Sequence, residues 1–211
     1  MKVLLFDAAN TLIHKPSIWE KIQEVLIKHH YIIDIKILKQ RHKLLSEIIN
    51  FPDRTSQDFY SGFNSELLMS LGIVPNDELL EELYKNCSYR SWEAFDDCSI
   101  LSELNIRKAI LSNFNSSLFD LVNQLIGNEI FDEIIISENE KVRKPDLEFY
   151  QIAIDRLEVK PNEILYIGDS LKLDIIPAKQ LGINTLLIDR DEIYTYPDNR
   201  ISSFVELKNY L

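Results

Sequence analysis

The sequence predicts a doubly wound α/β fold, a parallel sheet covered by helices on both faces, with an all-helical insertion near its start. Short apolar runs of strand length alternate with longer stretches whose apolar residues recur at helical spacing. This alternation is typical of α/β domains. The five predicted strands cover residues 3–6, 108–111, 134–136, 164–167 and 185–188.

Residues 15–94 show four successive helical patterns and no flanked strand-like run. Prolines fall at the pattern boundaries, where helices commonly begin or end. We therefore predict a core of residues 1–14 and 95–211, and a helical insertion of residues 15–94. Residues 201–211 are predicted to form a closing helix. The apolar stripes of the insertion are Ile18, Ile22, Val25 and Leu26; Leu38, Leu44, Leu45, Ile48 and Ile49; Phe59, Phe63, Leu67 and Leu71; and Leu79, Leu80, Leu83 and Tyr84.

The composition argues against several classes of partner. The formal net charge of −11 disfavours nucleic acid and anionic membranes, which are bound through clustered Lys and Arg. Asp7 and Asn10 interrupt the first apolar run too early for a secretion signal, and no run is long enough to span a membrane. Two cysteines do not make a disulfide framework. We expect a cytoplasmic protein.

Polar residues follow three of the predicted strands directly. Asp7 ends the first, Ser112 and Asn113 end the second, and Asp169 with Ser170 follows the fourth. Ligands of parallel α/β sheets collect at the carboxyl ends of strands, so these residues are candidates for a common site. Each of them alone also fits a helix cap or a turn.

Four segments together resemble the haloacid dehalogenase-like (HAD) hydrolase superfamily. They are FDAANTL at 6–12, LSN at 111–113, RKPD at 143–146 and GDSLKLD at 168–174, in the order and spacing of that family. The insertion resembles the helical cap that the family places after the first strand. The resemblance covers the whole chain and implies a capped α/β hydrolase.

The resemblance also implies a magnesium-dependent site acting on a small phosphorylated substrate. Asp7 would be the nucleophile that forms an acyl-phosphate. Mg²⁺ would be held by Asp7, the carbonyl of Ala9 and Asp169, with Asp174 as an inner or outer partner. Oxygen ligands of this kind suit that cation. Asp174 could also be an exposed helical residue.

Other residues receive supporting roles from the same resemblance. Ser112 and the backbone N–H of Asn113 would bind the phosphoryl oxygens, and Lys144 would neutralise charge near the nucleophile. Lys144 could alternatively belong to a solvated basic run. Thr11 would brace the loop that carries the nucleophile.

Ala9 departs from the family pattern. Phosphatases of the family carry Asp two residues after the nucleophile, where it protonates the leaving oxygen, and alanine cannot do this. His14 is the best-placed substitute by sequence, although a structural role fits it as well. Three interpretations therefore remain: a phosphatase that favours good leaving groups, a metal-independent 2-haloacid dehalogenase, and a non-catalytic member that binds a phosphorylated ligand or a protein.

Overall fold

The structure, a computed structural model, describes residues 1–195 and 199–211. The chain divides into two compact units, one of residues 1–14 and 93–211 and the other of residues 15–92. The insertion predicted from the sequence, residues 15–94, ends two residues later than the second unit of the structure. Glu93 and Ala94 lie in the first unit because they pair with His14 and Ile13 of that unit.

The first unit is built on a six-stranded parallel sheet in the order β5-β4-β1-β6-β7-β8. Because helices flank the sheet, β1 and β6 at its centre are buried over their whole length and consist almost entirely of apolar residues. A separate antiparallel pair joins β2 and β3. The strands are β1 Val3–Phe6, β2 Ile13–His14, β3 Glu93–Ala94, β4 Arg107–Ser112, β5 Glu133–Ile136, β6 Ile164–Gly168, β7 Asn184–Ile188 and β8 Arg200–Ile201.

The second unit consists of four helices, α1 Ser17–Lys28, α2 Ile35–Ile48, α3 Gln57–Ser70 and α4 Asp77–Cys87. Side chains of Asp34, Ser56 and Asn76 cap α2, α3 and α4 by accepting hydrogen bonds from backbone N–H groups of the first turn. Their apolar faces share one core. It contains Ile22, Val25, Leu26, Leu38, Leu67, Leu68, Ile73, Leu79 and Leu83.

One predicted stripe was partly wrong. Leu38 of α2 is buried and Leu45 packs against the same core, but Leu44 and Ile48 are exposed. At 100° per residue, Leu38 and Leu45 share one helix face, while Leu44 lies about 100–120° and Ile48 about 60–80° around the helix from it.

The helices of the first unit are α5 Leu118–Leu125, α6 Ser137–Glu140, α7 Leu147–Leu157 and α8 Ile176–Gln180. α7 presents Phe149, Tyr150 and Ala153 to one face of the sheet, where they join a buried cluster with β1, β4 and β6. On the sheet, Phe6 makes edge-to-face contacts with Phe131 and Phe204. The central strands are therefore fixed by packing, and their carboxyl ends are held in constant register.

The predicted closing helix over residues 201–211 was partly wrong, because only residues 204–209 are helical, as a 3₁₀ helix. Arg200 and Ile201 form β8, which pairs with Leu187 and Ile188 at the edge of the sheet. Ser203 then caps a short 3₁₀ segment, Phe204–Asn209, through a reciprocal capping box with Glu206. The apolar residues of the tail resembled a helical stripe because two short elements contribute to it.

Among the described residues, no helix combines the length and the apolar character that crossing a bilayer requires.

Candidate active site

Three strand ends meet at one edge of the sheet. Asp7 follows the last residue of β1, Ser112 ends β4 and Gly168 ends β6. Since β1 lies between β4 and β6 and all three are parallel, their carboxyl ends are adjacent. The N–H of Asp7 donates to the carbonyl of Ile167 at 2.9 Å, so the pairing continues to the candidate nucleophile.

Lys144 lies buried between two carboxylates. Its Nζ is 2.6 Å from Oδ1 of Asp7 and 2.7 Å from Oδ1 of Asp174, and its side chain is 2% exposed. A third donor of the ammonium reaches the hydroxyl of Tyr166 at 3.2 Å. All three N–H groups thus have partners, as a buried ammonium requires. We call Lys144, Asp7, Asp174 and Tyr166 the Lys144 network.

The side chain of Asn113 fixes the backbone of Lys144. Its Nδ2 donates to the Lys144 carbonyl at 2.9 Å, and its Oδ1 accepts from the Lys144 N–H at 2.8 Å. Two parallel bonds from one planar amide define both the position and the orientation of the lysine backbone. The residue predicted to bind substrate through its backbone therefore also holds the site lysine with its side chain.

Asp174 uses both carboxylate oxygens within the protein. Oδ1 accepts from Lys144 and lies 3.0 Å from the Tyr166 hydroxyl, and Oδ2 accepts from the N–H of Ser170 at 2.9 Å. Asp174 is 1% exposed and belongs to a π-helical turn, Leu171–Ile175, so it is not the exposed helical residue considered from the sequence. Its main partner is Lys144.

Gly168 makes room for this carboxylate. A Cβ at position 168 would lie 2.4 Å from Cγ and from Oδ2 of Asp174. Real carbon contacts do not reach that distance, so a side chain here would displace Asp174. The glycine that ends β6 is therefore a condition for the Lys144 network.

Burial and neighbouring charges together set the pKa values of Asp7 and Lys144. Burial, the largest influence, raises the pKa of Asp7; Lys144 opposes this, Asp174 and Asp169 add to it, and the pKa is about 7. Burial alone would lower the pKa of Lys144, but Asp174 and Asp7 outweigh it and raise the pKa above the ordinary value. The lysine stays charged, while Asp7 lies near the midpoint of its titration at neutral pH.

Three carboxylates converge at this edge. Asp7, Asp169 and Asp174 each offer an oxygen that lies within 4.8 Å of the other two. Three acidic groups and one lysine at such distances leave a local excess of negative charge. The arrangement is suited to a cation.

Ser112 and the loop after β1 complete the site. The Ser112 hydroxyl donates to Oδ1 of Asp7 at 3.1 Å. Asn10 adopts φ 59°, the left-handed geometry that asparagine tolerates.

The Thr11 hydroxyl is buried and has no hydrogen-bond partner among the described residues, so the bracing predicted for Thr11 does not come from its side chain in this structure. His14 lies in β2 with its ring stacked on Phe95 at 3.9 Å.

The sequence interpretation missed Tyr166 and the backbone of Ser170. Tyr166 lies inside an apolar strand, and its hydroxyl donates to Oδ1 of Asp174 at 3.0 Å. Burial, together with Asp174 and other neighbours, raises its pKa well above the ordinary value, so the hydroxyl stays protonated. A tyrosine in a strand that is otherwise apolar was the only local signal.

Comparison with known proteins identifies the family. The model of the haloacid dehalogenase-like hydrolases matches residues 1–182, and the chain therefore belongs to that family. The Bacillus subtilis HAD hydrolase YfnB, whose structure was solved bound to magnesium, has the same fold with a TM-score of 0.68 at 19% identity, over 99% of this chain and 97% of that one.

Relatives include both phosphatases and dehalogenases. The chain is 26% identical to the zebrafish (Danio rerio) haloacid dehalogenase-like hydrolase domain-containing protein 3, over 73% of this chain and 67% of that protein. It is 35% identical to a glyceraldehyde 3-phosphate phosphatase of Methanocaldococcus jannaschii, over 36% of this chain and 37% of the phosphatase. It is 31% identical to (S)-2-haloacid dehalogenase 1 of a Pseudomonas species, over 68% and 66%. The chain thus spans between about a third and two thirds of the length of these relatives.

The role of Gly168 predicts a specific loss of stability. Gly168→Ala should lower the free energy of unfolding by about 1–3 kcal/mol, because the new methyl group overlaps the Asp174 carboxylate. Urea denaturation measures the change. Gly62→Ala is the matched control: its Cβ would meet nothing within 4 Å, and replacing a helical glycine should stabilise by about 0.5–1 kcal/mol. Equal effects of both substitutions would contradict the steric role of Gly168.

The raised pKa of Asp7 predicts a pH-dependent effect of Asp7→Asn in metal-free buffer. The folded-state pKa is about 7, above the ordinary value of 3.8, so protonated Asp7 favours the folded chain. Stability is therefore lost as pH rises between about 4 and 7. The asparagine variant should have the higher Tm at pH 8, and the difference should shrink towards pH 4. Calorimetry at both pH values checks this; a lower Tm of the variant at pH 8 would count against it.

Proposed function

We propose that the protein is a Mg²⁺-dependent hydrolase that dephosphorylates a small phosphorylated metabolite through an aspartyl-phosphate on Asp7. The observation that carries this proposal is the convergence of Asp7, Asp169 and Asp174 beside the buried Lys144. A site for anionic phosphate must overcome the repulsion of these carboxylates. One lysine is too little positive charge for that, which supports a role for a divalent cation.

The residues present fit Mg²⁺. Asp7 and Asp169 supply carboxylate oxygens, and Ala9 supplies a carbonyl. The carbonyl of Ala8 accepts from the N–H groups of Thr11, Leu12 and Ile13, whereas that of Ala9 accepts no hydrogen bond from any residue described in the structure. Ala9 therefore retains a free acceptor two residues after Asp7. Because both oxygens of Asp174 already have protein partners, we assign it an indirect role.

Each protein group then has a physical task. When bound, Mg²⁺ supplies positive charge to phosphoryl oxygens and to the nucleophile. Lys144 orients Oδ1 of Asp7 and offsets its charge, and the Ser112 hydroxyl, which now donates to Asp7, can turn towards a phosphoryl oxygen. Asn113 keeps Lys144 in place. Phosphoryl transfer depends mainly on this kind of positioning and charge stabilisation.

The substrate class follows from Ala9. An alkoxide leaving group needs a proton, and the usual acid is missing two residues after Asp7. General acid catalysis contributes about 10²–10⁴ in rate, so simple alkyl phosphates should be poor substrates. Acyl and aryl phosphates carry the departing charge more easily, and we expect them to be hydrolysed faster. His14 remains a proposed substitute acid.

Dehalogenation is the second candidate, favoured by the same alanine and by the 31% identical haloacid dehalogenase. A halide leaves unprotonated, so that reaction has no need of the missing acid. It also needs no metal, and the three clustered carboxylates argue against it.

A substrate screen separates these functions. Purified protein is assayed on aryl, acyl and alkyl phosphates and on 2-haloacids, with Mg²⁺ and with EDTA, using Asp7→Asn as the blank. We expect Mg²⁺-dependent phosphate release that the variant lacks. Halide release in EDTA would support the dehalogenase instead, and an absence of turnover on all substrates would support a binding role for a phosphorylated ligand or a protein.

The metal assignment predicts that Asp169→Asn weakens Mg²⁺ binding by at least about tenfold, because one anionic ligand is lost. Titration calorimetry measures the affinity. Asp120→Asn, at an exposed position on α5, removes the same charge away from the site and should leave the affinity unchanged. If Asp169→Asn binds Mg²⁺ as tightly as the parent, the assignment is wrong.

The missing acid predicts that Ala9→Asp raises the rate on alkyl phosphates. The gain should reach about tenfold or more, while the rate on aryl phosphates changes little, since only the alkoxide requires protonation. The carbonyl of residue 9 persists, so Mg²⁺ affinity should be retained. Steady-state kinetics on both substrate classes tests this with a folded variant. Equal responses of the two classes would show that the carboxylate does not act as the acid.

A further inference from the structure

Arg190, two residues after β7, reaches the loop that carries Asp7. Its guanidinium pairs with Asp97 through two bonds, Nη1 to Oδ2 at 2.8 Å and Nη2 to Oδ1 at 3.0 Å. Nη2 also donates to the carbonyl of Thr11 at 2.8 Å. The arginine and aspartate side chains are 14% and 12% exposed, so water competes little for these bonds.

Asp97 is itself fixed by the C-terminal segment. Its Oδ2 accepts from the Ser203 hydroxyl at 2.7 Å and from the N–H of Phe204 at 2.8 Å. Burial alone would raise the pKa of Asp97, but the hydrogen bonds from Arg190, Ser203 and Phe204 outweigh it and lower the pKa. The pair therefore stays charged through the neutral range.

Phe95 lies between two planar groups. The Arg190 guanidinium carbon is 3.7 Å from the Phe95 ring centroid, and the His14 ring is stacked on Phe95 at 3.9 Å with an interplanar angle of 16°. Two groups at these distances cannot share one face of the ring, so Arg190 and His14 lie on opposite faces. Arg190 thereby stabilises Phe95 and, through it, β2 just after the loop.

Hydrogen bonds donated to its backbone carbonyls hold the loop between Asp7 and β2. Leu12 accepts from the N–H of Phe95 at 3.0 Å and from the Cys98 thiol at 3.2 Å, and Thr11 accepts from Arg190. The Thr11 hydroxyl has no hydrogen-bond partner among the described residues. Arg190 is thus the one charged donor observed on this loop within the described part of the chain.

The orientation of the guanidinium points to the loop and not only to Asp97. Arg190 pairs end-on through Nη1 and Nη2, which leaves its buried Nε without a partner among the described residues. A side-on pair through Nε would satisfy that donor. The end-on geometry instead lets Nη2 serve Asp97 and Thr11 together.

We propose that Arg190 is a positioning residue for the nucleophile: with Asp97 and Phe95, it holds the loop after Asp7 so that the Asp7 carboxylate stays aligned. The proposal rests on the proposed role of Asp7 as nucleophile. Small displacements of a reacting group have large effects on rate, since a shift of about 1 Å can cost about 10²-fold. Loss of Arg190 should therefore lower kcat more than it alters KM.

The test compares Arg190→Met with Arg200→Met. Arg200 also donates to a buried aspartate, Asp189 at 3.2 Å, and to a carbonyl, that of Tyr194 at 3.1 Å, but it lies in β8. Amide hydrogen exchange is measured at matched global stability, adjusted with urea. With Arg190→Met, the Leu12 and Ile13 amides should exchange at least about tenfold faster than with Arg200→Met, because local opening of the loop becomes easier.

Kinetics on p-nitrophenyl phosphate with Mg²⁺ supply the second readout. We expect Arg190→Met to lower kcat by about tenfold or more with KM within about twofold, and Arg200→Met to leave both nearly unchanged. If Arg190→Met does not fold, Arg190→Lys, which keeps the buried charge beside Asp97, is tested in the same way with the same direction of effects.

The outcomes separate the two proposals. Unchanged exchange at Leu12 and Ile13 overturns the positioning role whether or not the protein turns over phosphate. Faster exchange with unchanged kcat overturns it as well. If Arg190→Met speeds exchange but the unsubstituted protein hydrolyses no phosphate, the structural coupling is supported and the proposed phosphatase function is overturned.

Discussion

The buried ammonium of Lys144 is the interaction on which the candidate site depends. An unpaired charge at 2% exposure would be highly unfavourable, and the structure compensates it with two carboxylates and a tyrosine hydroxyl. These partners come from the residue after β1, from β6 and from the turn after β6, so one side chain ties together segments that are distant in sequence. Asn113 and Gly168 serve the same interaction, one by fixing the lysine backbone and the other by leaving space for Asp174.

This arrangement disfavours the ionised form of Asp7, the proposed nucleophile. Lys144 divides its charge between Asp7 and Asp174, and Asp169 lies close by, so burial leaves the pKa of Asp7 at about 7. A carboxylate in that state is a weaker nucleophile at neutral pH than an ionised one. Additional positive charge would favour ionisation, which is the physical argument for a cation in the proposed function.

In the functions that we propose, the loop after β1 determines both the substrate class and the alignment of Asp7. Ala9 removes the usual acid but leaves an acceptor carbonyl directed at no described protein group, and the Thr11 carbonyl is held by Arg190. Chemistry and support thus occupy neighbouring residues of one short turn. We propose that the side chain of Ala9 sets the substrate selectivity and that contacts to the loop backbone keep Asp7 aligned.

The sequence by itself determined the strands of the central sheet, the helical character of the insertion and the presence of Asp7, Ser112 and Asp169 at strand ends. Local patterns suffice there, because a buried parallel strand must be apolar and its polar residues must follow it. Only the tertiary structure decided which of these ends are adjacent and which side chains support them. Asn113 and Lys144 are 31 residues apart, and Arg190 and Thr11 are 179 residues apart. Tyr166 and β8 were missed for the same reason: each is defined by a partner brought near by the order of the strands, and periodicity along the chain carries no information about that order.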